Sequence, residues 1–277
     1  MKPSLLLLVA GLCLAPPAAA QESVPPALFS AGGSAGAIHF KSGLTEYVLT
    51  GLLQFQPRPW LTLGTAASLV RVTPPDSTAF SGFGDLPVSL GLSKQFGGTA
   101  SPSLGAAFQV SLPTGTRSAG IGSQSVGWAV DVGAGFAPRQ SSYLFFNVGR
   151  ELTPARPGFN RSVQSTSIGA DASVDLSPRL DLSVALAADV ARTDTIAPLT
   201  RTVGAGLGFR LGGALRVEVD GGLGLNNQSP TWLFSVGLGT AFAGVSPVGL
   251  NNPVERVKRA FASGSTKVRG KSSKKGG

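Results

Sequence analysis

Eleven charged residues occupy polar positions within stretches of this sequence that otherwise alternate between apolar and small residues. They are Glu46, Asp85, Asp131, Asp171, Asp175, Asp181, Asp189, Arg210, Arg216, Glu218 and Asp220. Carboxylates and guanidiniums collected along one surface can attract and steer ions or polar solutes. They can equally pair with one another, with Arg210 and Arg216 neutralising neighbouring acids in a structural network. Both interpretations stay open for each residue.

Catalytic and metal chemistry have few residues available. His39 is the only histidine, and the only cysteine is Cys13. A hydrolase needs a positioned base beside its nucleophile, and no nucleophile motif accompanies His39. No His/Cys cluster has the spacing of metal ligands. We therefore expect no enzymatic activity and no cofactor, and we expect His39 to lie on a strand near a rim.

The two ends of the chain differ in composition from its middle. Residues 1–20 combine Lys2, the apolar run LLLLVAGLCLA and an Ala-Ala-Ala site, which is typical of a cleaved secretory signal peptide. Residues 254–277 carry eight Lys/Arg and one Glu out of a formal net charge of +9, so the basic excess is local and nucleic-acid binding is not expected. We expect a signal peptide at 1–20, a short segment at 21–34, a folded domain at 35–243 and a disordered basic tail at 244–277.

Period-two alternation dominates the middle of the chain and predicts twelve β-strands. In LDLSVALAADV, for example, Leu180 and Leu182 alternate with Asp181 and Ser183. Most predicted strands have ten to fourteen residues, which suits a tilted membrane strand better than the shorter strand of a globular domain. The predicted strands are 35–41, 43–56, 60–72, 83–96, 103–112, 124–136, 142–152, 163–176, 180–192, 201–211, 214–226 and 231–242.

Short and long connections alternate between the predicted strands. Short turns fall at 57–59, 97–102, 137–141, 177–179 and 212–213, and three of them contain a Pro-Arg pair. Longer connections such as TGTRSAGIGSQ and TPARPGFNRS separate them. Periplasmic turns alternate with outer loops in this way in outer-membrane barrels. Only 13% of the residues are charged, against about 25% in soluble domains, which also favours a surface that does not face water.

The fold class that these patterns predict is all-β: a transmembrane, antiparallel up-and-down β-barrel of about twelve strands in the bacterial outer membrane. A secreted soluble β-sandwich is the alternative. In the barrel the eleven charged residues would line the lumen, because a charge facing lipid at mid-membrane costs about 2–4 kcal/mol. Aromatic residues near the strand ends would form interfacial girdles. They are Phe55, Trp60, Phe96, Phe136, Tyr143 and Phe242 at the short-turn end, and Phe80, Phe83, Phe159 and Trp232 at the long-loop end.

Two stretches resemble a known family. Gly82-Phe83-Gly84-Asp85 opens one predicted strand, and Leu112-Pro113-Thr114-Gly115 ends the next before a glycine-rich loop. In these motifs the chain is similar to the outer-membrane proteins grouped as "MetA-pathway of phenol degradation". The resemblance implies a transporter-like barrel that passes organic compounds, and it implies no catalytic residues. The basic segment after the last strand departs from that pattern.

We therefore expect a passive channel for small organic solutes, including aromatic or hydrophobic ones, filtered by loops 113–123 and 153–162. The alternative is a structural or envelope-tethering barrel that acts through its basic tail. The expected partners are outer-membrane lipid, lipopolysaccharide and the outer-membrane insertion machinery, which would recognise the last strand, TWLFSVGLGTAF. Arg117, Arg156, Arg161 and Arg201 are candidates for pairing with lipopolysaccharide phosphates. Gly222 and Gly224 would widen the lumen or leave room for an inserted loop.

Overall fold

The computed structural model consists of thirteen β-strands and one short 3-10 turn in a single antiparallel sheet. It describes residues 29–58, 60–96, 102–119, 121–139, 141–154, 162–193, 199–212, 215–227 and 229–240. The strands are β1 (Phe29–His39), β2 (Thr45–Arg58), β3 (Leu61–Thr73), β4 (Phe80–Phe83), β5 (Leu86–Gln95), β6 (Ser103–Leu112), β7 (Gly127–Arg139), β8 (Ser142–Thr153), β9 (Val163–Ser177), β10 (Leu180–Arg192), β11 (Arg201–Gly212), β12 (Leu215–Gly224) and β13 (Trp232–Thr240). The 3-10 turn spans Arg117–Ala119.

The sheet closes into a barrel because its last strand pairs with its first. Gly32 of β1 lies opposite Gly239 of β13, and His39 lies opposite Trp232. The other pairings join strands that follow one another along the chain, and β4 and β5 together occupy one barrel position beside β3. The predicted twelve-stranded up-and-down barrel is therefore confirmed. Within the described ranges, no helix is both long enough and apolar enough to cross a membrane.

The first strand begins six residues before its predicted start at 35. Residues 29–34 already pair with β2, and the ring of Phe29 stacks on that of Phe55 with 4.7 Å between centroids. Prediction failed here because FSAGGS contains one large apolar residue and therefore carries almost no alternation signal. These residues, which we had assigned to a segment before the folded domain, belong to the barrel wall.

The predicted strand 83–96 is two strands separated by Gly84 and Asp85. Pro87 follows the break and has no backbone N–H to donate to the ladder. The hydroxyl of Thr65 on β3 donates to the Pro87 carbonyl at 2.9 Å across this irregular region. The break matters for the site below because it turns the Asp85 side chain toward the loop that follows β6.

The polarity of the two faces of the barrel wall is the reverse of that in a soluble protein. Leu49 and Leu53 on the outer face are 58% and 62% exposed, whereas Thr50 on the inner face is 2% exposed. The same contrast recurs around the barrel, with apolar side chains outside and Ser, Thr, Gln and Asp inside. An apolar surface of this extent has to be covered, and lipid covers it in a closed barrel whose strands pair around the full circumference. This distribution excludes the soluble β-sandwich.

Candidate functional site

The strand register places ten of the eleven predicted charged residues on the inner face of the barrel. Residues directly opposite each other in a ladder point to the same side, and these ten share the alternation of the buried polar residues. Glu46 lies near the long-loop end, between Ile38 and Val72. Asp85, the eleventh, lies at the break between β4 and β5. The residues separate into four groups, at the short-turn end, the outer rim, the mouth and mid-lumen.

Arg216 organises the short-turn end of the lumen. Its Nη2 atom lies 2.7 Å from Asp181 Oδ1 and 3.6 Å from Glu218 Oε1. Asp175 stands opposite Asp181 in the ladder, and Arg210 stands opposite Arg216. The guanidinium reaches Asp181 by lying over Gly208, whose missing side chain leaves the space. For Asp181, Glu218 and Arg216 these ion pairs support the structural alternative, because the two carboxylates share one guanidinium within the wall.

Asp189 fixes the outer rim. Its Oδ2 atom accepts hydrogen bonds from Arg192 Nη2 at 3.0 Å, from the Thr200 amide at 3.0 Å and from the Thr200 hydroxyl at 2.6 Å. These bonds join the end of β10 to the residue before β11. Three donors on one carboxylate oxygen satisfy the charge locally, so Asp189 positions the connection between the two strands.

Asp85 holds a loop in the barrel mouth. Its carboxylate accepts hydrogen bonds from the Gly115 amide at 3.0 Å and from the Ser123 amide at 3.0 and 3.2 Å. Ile121 and Ser123 are buried, and Gly82 on the inner face leaves the space that Thr116 and Ile121 occupy. The predicted filter loop 113–123 therefore folds against the inside of β4. Residues 155–161 of the second predicted loop lie outside the described residues.

Two aromatic side chains enter the lumen from β8, and sequence reasoning missed both. Phe145 is 2% exposed, and its ring lies over Gly133 of β7. Tyr143, predicted as a girdle residue, instead lies over Gly135 and shares a 2.7 Å hydrogen bond with Ser103 Oγ. Phe80, also predicted for a girdle, lies on the inner register opposite Val72. Phe159 and Phe242 lie outside the described residues.

A signal for the lumen aromatics was present in the sequence. In SYLFFNVG, Tyr143, Phe145 and Asn147 share one parity, and the preceding strand offers Gly133 and Gly135 on its polar face. A row of glycines beside a row of large residues indicates that the large side chains lie across the glycines. Gly222 and Gly224, which were expected to widen the lumen or leave room for a loop, follow the same rule. The space beside Gly222 is taken by Leu233, and the space beside Gly224 is taken by Ser229 and Pro230.

Mid-lumen combines Asp131, Asn147 and Asp171 on three adjacent strands. In the ladder Asn147 lies opposite Gly133 on one side and Gly169 on the other. Asp131 and Asp171 are therefore its diagonal neighbours on the inner face, at the ~7–8 Å separation typical of such pairs. All three residues are buried, with Asn147 4% exposed. Neither polar atom of the Asn147 side chain has a hydrogen-bond partner.

A small cavity borders Asp131. It has a volume of about 50 Å³ and is lined in part by Leu52, Gln54, Ala107, Gln109 and Asp131. Binding pockets for drug-sized molecules span roughly 300–1,000 Å³, so this space suits water molecules and small ions.

His39 lies at the outer rim and away from the inner face. Its Nδ1 atom is 2.8 Å from the Thr45 hydroxyl, and its ring stacks on Trp232 at 5.5 Å. Among the described residues, no three His, Cys, Asp or Glu side chains are grouped as ligands for a metal ion. The inner face carries the charged, amide and aromatic side chains, and it is the candidate functional site.

Closed strand pairing, an apolar exterior and a polar interior define the chain as a transmembrane β-barrel of the bacterial outer-membrane type. The architecture is similar to that of an outer membrane channel from Pseudomonas putida F1, with a TM-score of 0.61 and 15% sequence identity over 82% of this chain and 99% of that one. It is also similar to the KdgM porin, solved in complex with disordered oligogalacturonate, with a TM-score of 0.54 and 8% identity over 77% of this chain and 99% of that one. These likenesses concern the fold. No family model and no curated protein sequence matches the chain.

Proposed function

We propose that this protein is a passive outer-membrane channel for small solutes. The observation that carries the proposal is the inverted wall, in which buried polar and charged side chains cover the inner face while the apolar side chains face outward. Such a lining offers hydrogen bonds and charge to water, ions and polar groups along the barrel axis. Of the two solved structures compared above, one is an outer membrane channel and the other is a porin, which supports the same assignment.

The lining also favours an organic solute with an apolar part. Ile38, Val48, Leu52, Val70 and Val72 lie on the inner face of β1, β2 and β3. This apolar strip and the acids of β7 and β9 lie on different parts of the wall, so the lumen offers both kinds of contact. The resemblance to the phenol-degradation outer-membrane proteins supports small aromatic compounds as the solute class and, with it, membership of that family.

Phe145 is the residue we propose as the narrowest barrier. Its ring is buried in the lumen, whereas that of its neighbour Phe146 is 52% exposed on the outer face. Replacing Phe145 with Ala should therefore widen the path and raise single-channel conductance at least about twofold. Phe146→Ala removes the same ring from the lipid side and is the matched control.

Conductance in a planar lipid bilayer tests the channel proposal. We expect discrete conductance steps from wild-type protein, larger steps from Phe145→Ala and unchanged steps from Phe146→Ala. Heat-modifiable gel mobility confirms that each variant is a folded barrel. Folded wild-type and Phe145→Ala protein that both leave the bilayer electrically silent would overturn the proposal.

The alternative function, envelope tethering through the tail, is favoured by one observation. Eight Lys/Arg accompany one Glu in residues 254–277, whereas residues 3–253 carry a net charge of only +1. A basic segment of this kind is attracted to anionic lipid headgroups or other anionic polymers of the envelope. If tethering is the function, deletion of 254–277 should abolish the phenotype that depends on the protein. If transport is the function, the same deletion should leave channel conductance unchanged. This segment lies outside the described residues.

Contacts with the envelope complete the proposal. Arg117 and Arg201 are exposed at the long-loop end, where lipopolysaccharide phosphates would lie. Trp232, Phe234, Val236 and Leu238 form an exposed apolar row on β13, the strand that we expect the insertion machinery to recognise. Arg156, Arg161 and Phe242, which belong to the same expectations, lie outside the described residues.

A further inference from the structure

The inner face carries a surplus of negative charge. Three guanidiniums, of Arg192, Arg210 and Arg216, share the inner register with nine carboxylates in the described strands, which leaves a formal charge of −6. The nine are Glu46, Asp131, Glu151, Asp171, Asp175, Asp181, Asp189, Glu218 and Asp220. A narrow passage with low-dielectric walls focuses the field of such a surplus and concentrates counter-ions.

The arginines lie toward the two ends of the lumen rather than at its middle. Arg192 reaches Asp189 at the outer rim, and Arg216 reaches Asp181 and Glu218 at the short-turn end. Mid-lumen, where Phe145 narrows the barrel, contains the carboxylates of Asp131 and Asp171. An ion that passes this level therefore meets carboxylates at the point where it keeps the least of its hydration water.

Asn147 provides an independent indication that something polar occupies this level. Its amide is 4% exposed, and neither its Oδ1 nor its Nδ2 has a hydrogen-bond partner. A buried carboxamide without partners costs free energy, and native proteins rarely keep one unless water, an ion or a ligand satisfies it. Asn147 lies between Asp131 and Asp171, which are its diagonal neighbours on opposite sides, so its amide continues a row of polar groups from one carboxylate to the other.

The chemistry of this group of side chains favours cations. Carboxylate and carbonyl oxygens replace the hydration shell of a monovalent cation or accept hydrogen bonds from an ammonium group. The ring of Phe145, which stands opposite Asp171 in the ladder, adds an aromatic surface that attracts cations. An anion at the same level gains nothing from these groups and is repelled by both carboxylates.

We propose that Asp131, Asn147 and Asp171 form the charge-selectivity site of the channel, which passes small inorganic cations and small organic ammonium compounds in preference to anions. This inference rests on the proposed channel function. Asp131 borders the cavity of about 50 Å³, which gives a partly hydrated monovalent cation space beside the carboxylate. The apolar strip on β1, β2 and β3 would accompany the hydrocarbon part of an organic cation.

Reversal potentials across a bilayer with a KCl gradient test the proposal on the full-length protein. We expect wild-type protein to favour K⁺ over Cl⁻, and the Asp131→Asn, Asp171→Asn double variant to lower this permeability ratio by about fivefold, since it removes two negative charges from the wall of the passage. Asn147→Asp adds a charge at the same level and should raise the ratio. The permeability should likewise be higher for benzylammonium than for benzoate, which differ mainly in the sign of their charge.

Asp76→Asn is the matched control because it removes the same charge from an exposed loop outside the lumen. Its permeability ratio should equal that of wild type. A conducting channel whose ratio is near one, or unchanged in the double variant and in Asn147→Asp, would overturn the selectivity site and leave the channel function intact. If the double variant does not fold, Asn147→Asp decides the question alone. Absence of any conductance in the folded wild type would overturn the channel function itself.

Discussion

In two parts of the barrel wall, glycines on one strand leave space that side chains of neighbouring strands fill, but the side chains differ in kind. On β11, Gly206 and Gly208 leave space on the inner face, and charged groups from β12 and β10 fill it. On β7, Gly133 and Gly135 leave equivalent space, and the rings of Phe145 and Tyr143 fill it. The first part brings Arg216 against Asp181, so charge is compensated where the space is filled. The second part fills its space with aromatic rings.

This difference separates support of the wall from selection of the solute. In the β10–β12 part, the ion pairs hold the charged side chains to the wall, and removing one partner should mainly affect stability. In the β7–β9 part, the rings of Phe145 and Tyr143 lie on the inner face beside Asn147, and we propose that this group acts on a passing ion. A glycine row on an inner face therefore marks where a neighbouring side chain crosses, and the type of that side chain decides what the region does.

Arg216→Met should have the largest effect on stability. It leaves the buried carboxylates of Asp181 and Glu218 without their cation, and the free energy of unfolding should fall by about 3 kcal/mol. Urea unfolding in lipid vesicles, followed by tryptophan fluorescence, measures the change. Asp181→Asn in the same background should restore part of the loss.

Arg192→Met is the comparison for that experiment. Its partner Asp189 keeps two hydrogen bonds from Thr200, so the loss should be clearly smaller. Equal losses for the two variants, or no rescue by Asp181→Asn, would contradict the view that the β10–β12 part depends on charge compensation.

Gly133→Ala should have the second-largest effect, with a loss of about 2 kcal/mol in the free energy of unfolding. An added Cβ would lie 2.7 Å from the Phe146 carbonyl oxygen, which belongs to the backbone and cannot move aside. At Gly208 the same Cβ meets the tips of Asp181 and Arg216, which are flexible, so Gly208→Ala should cost less. Gly51→Ala is the control, since nothing lies within 4 Å of its Cβ position. The same urea series ranks the three, and a greater loss at Gly208 than at Gly133 would reverse the comparison.

Asn147→Leu should have the smallest effect on stability, and with the opposite sign. Replacing a buried amide that has no partner with an apolar side chain of similar size should raise the free energy of unfolding by about 1 kcal/mol. Gln54→Leu is the contrasting variant, because Gln54 Oε1 accepts a hydrogen bond from Ser30 at 3.3 Å, and that buried hydroxyl would lose its partner. A loss of stability for Asn147→Leu as large as that for Gln54→Leu would show that the Asn147 amide serves the fold rather than a solute.

Much of the wall could be predicted because membrane strands have only one arrangement that satisfies both faces. Leu180 and Leu182 alternate with Asp181 and Ser183, and this period assigned the charged residues to one face without knowledge of any neighbour. The strand from 29 to 34 was missed because glycine, serine and alanine suit either face. The break at Gly84 and Asp85 was missed although the apolar positions change phase there, from Phe83 to Leu86 and Val88.

The mid-lumen site could not be predicted in the same way. Tyr143 and Phe145 are apolar enough for the lipid face, and their shared parity with Asn147 becomes decisive only when the register places them beside Gly133 and Gly135. Asp131, Asn147 and Asp171 lie on three different strands, and no spacing within one strand reveals that both acids are diagonal neighbours of Asn147. The partnership of Asp85 with the amides of Gly115 and Ser123 likewise crosses some thirty positions of the chain.

The sequence by itself determined the class of fold, the alternation of faces and the sign of the charge inside, because these follow from the period of a strand and from the cost of placing charge in lipid. The tertiary structure decided which acids are compensated, which loop enters the mouth and where the lumen narrows. These depend on the register between strands, which brings Arg216 across Gly208 and Phe145 across Gly133, and register is fixed by packing around the closed barrel rather than by any one segment.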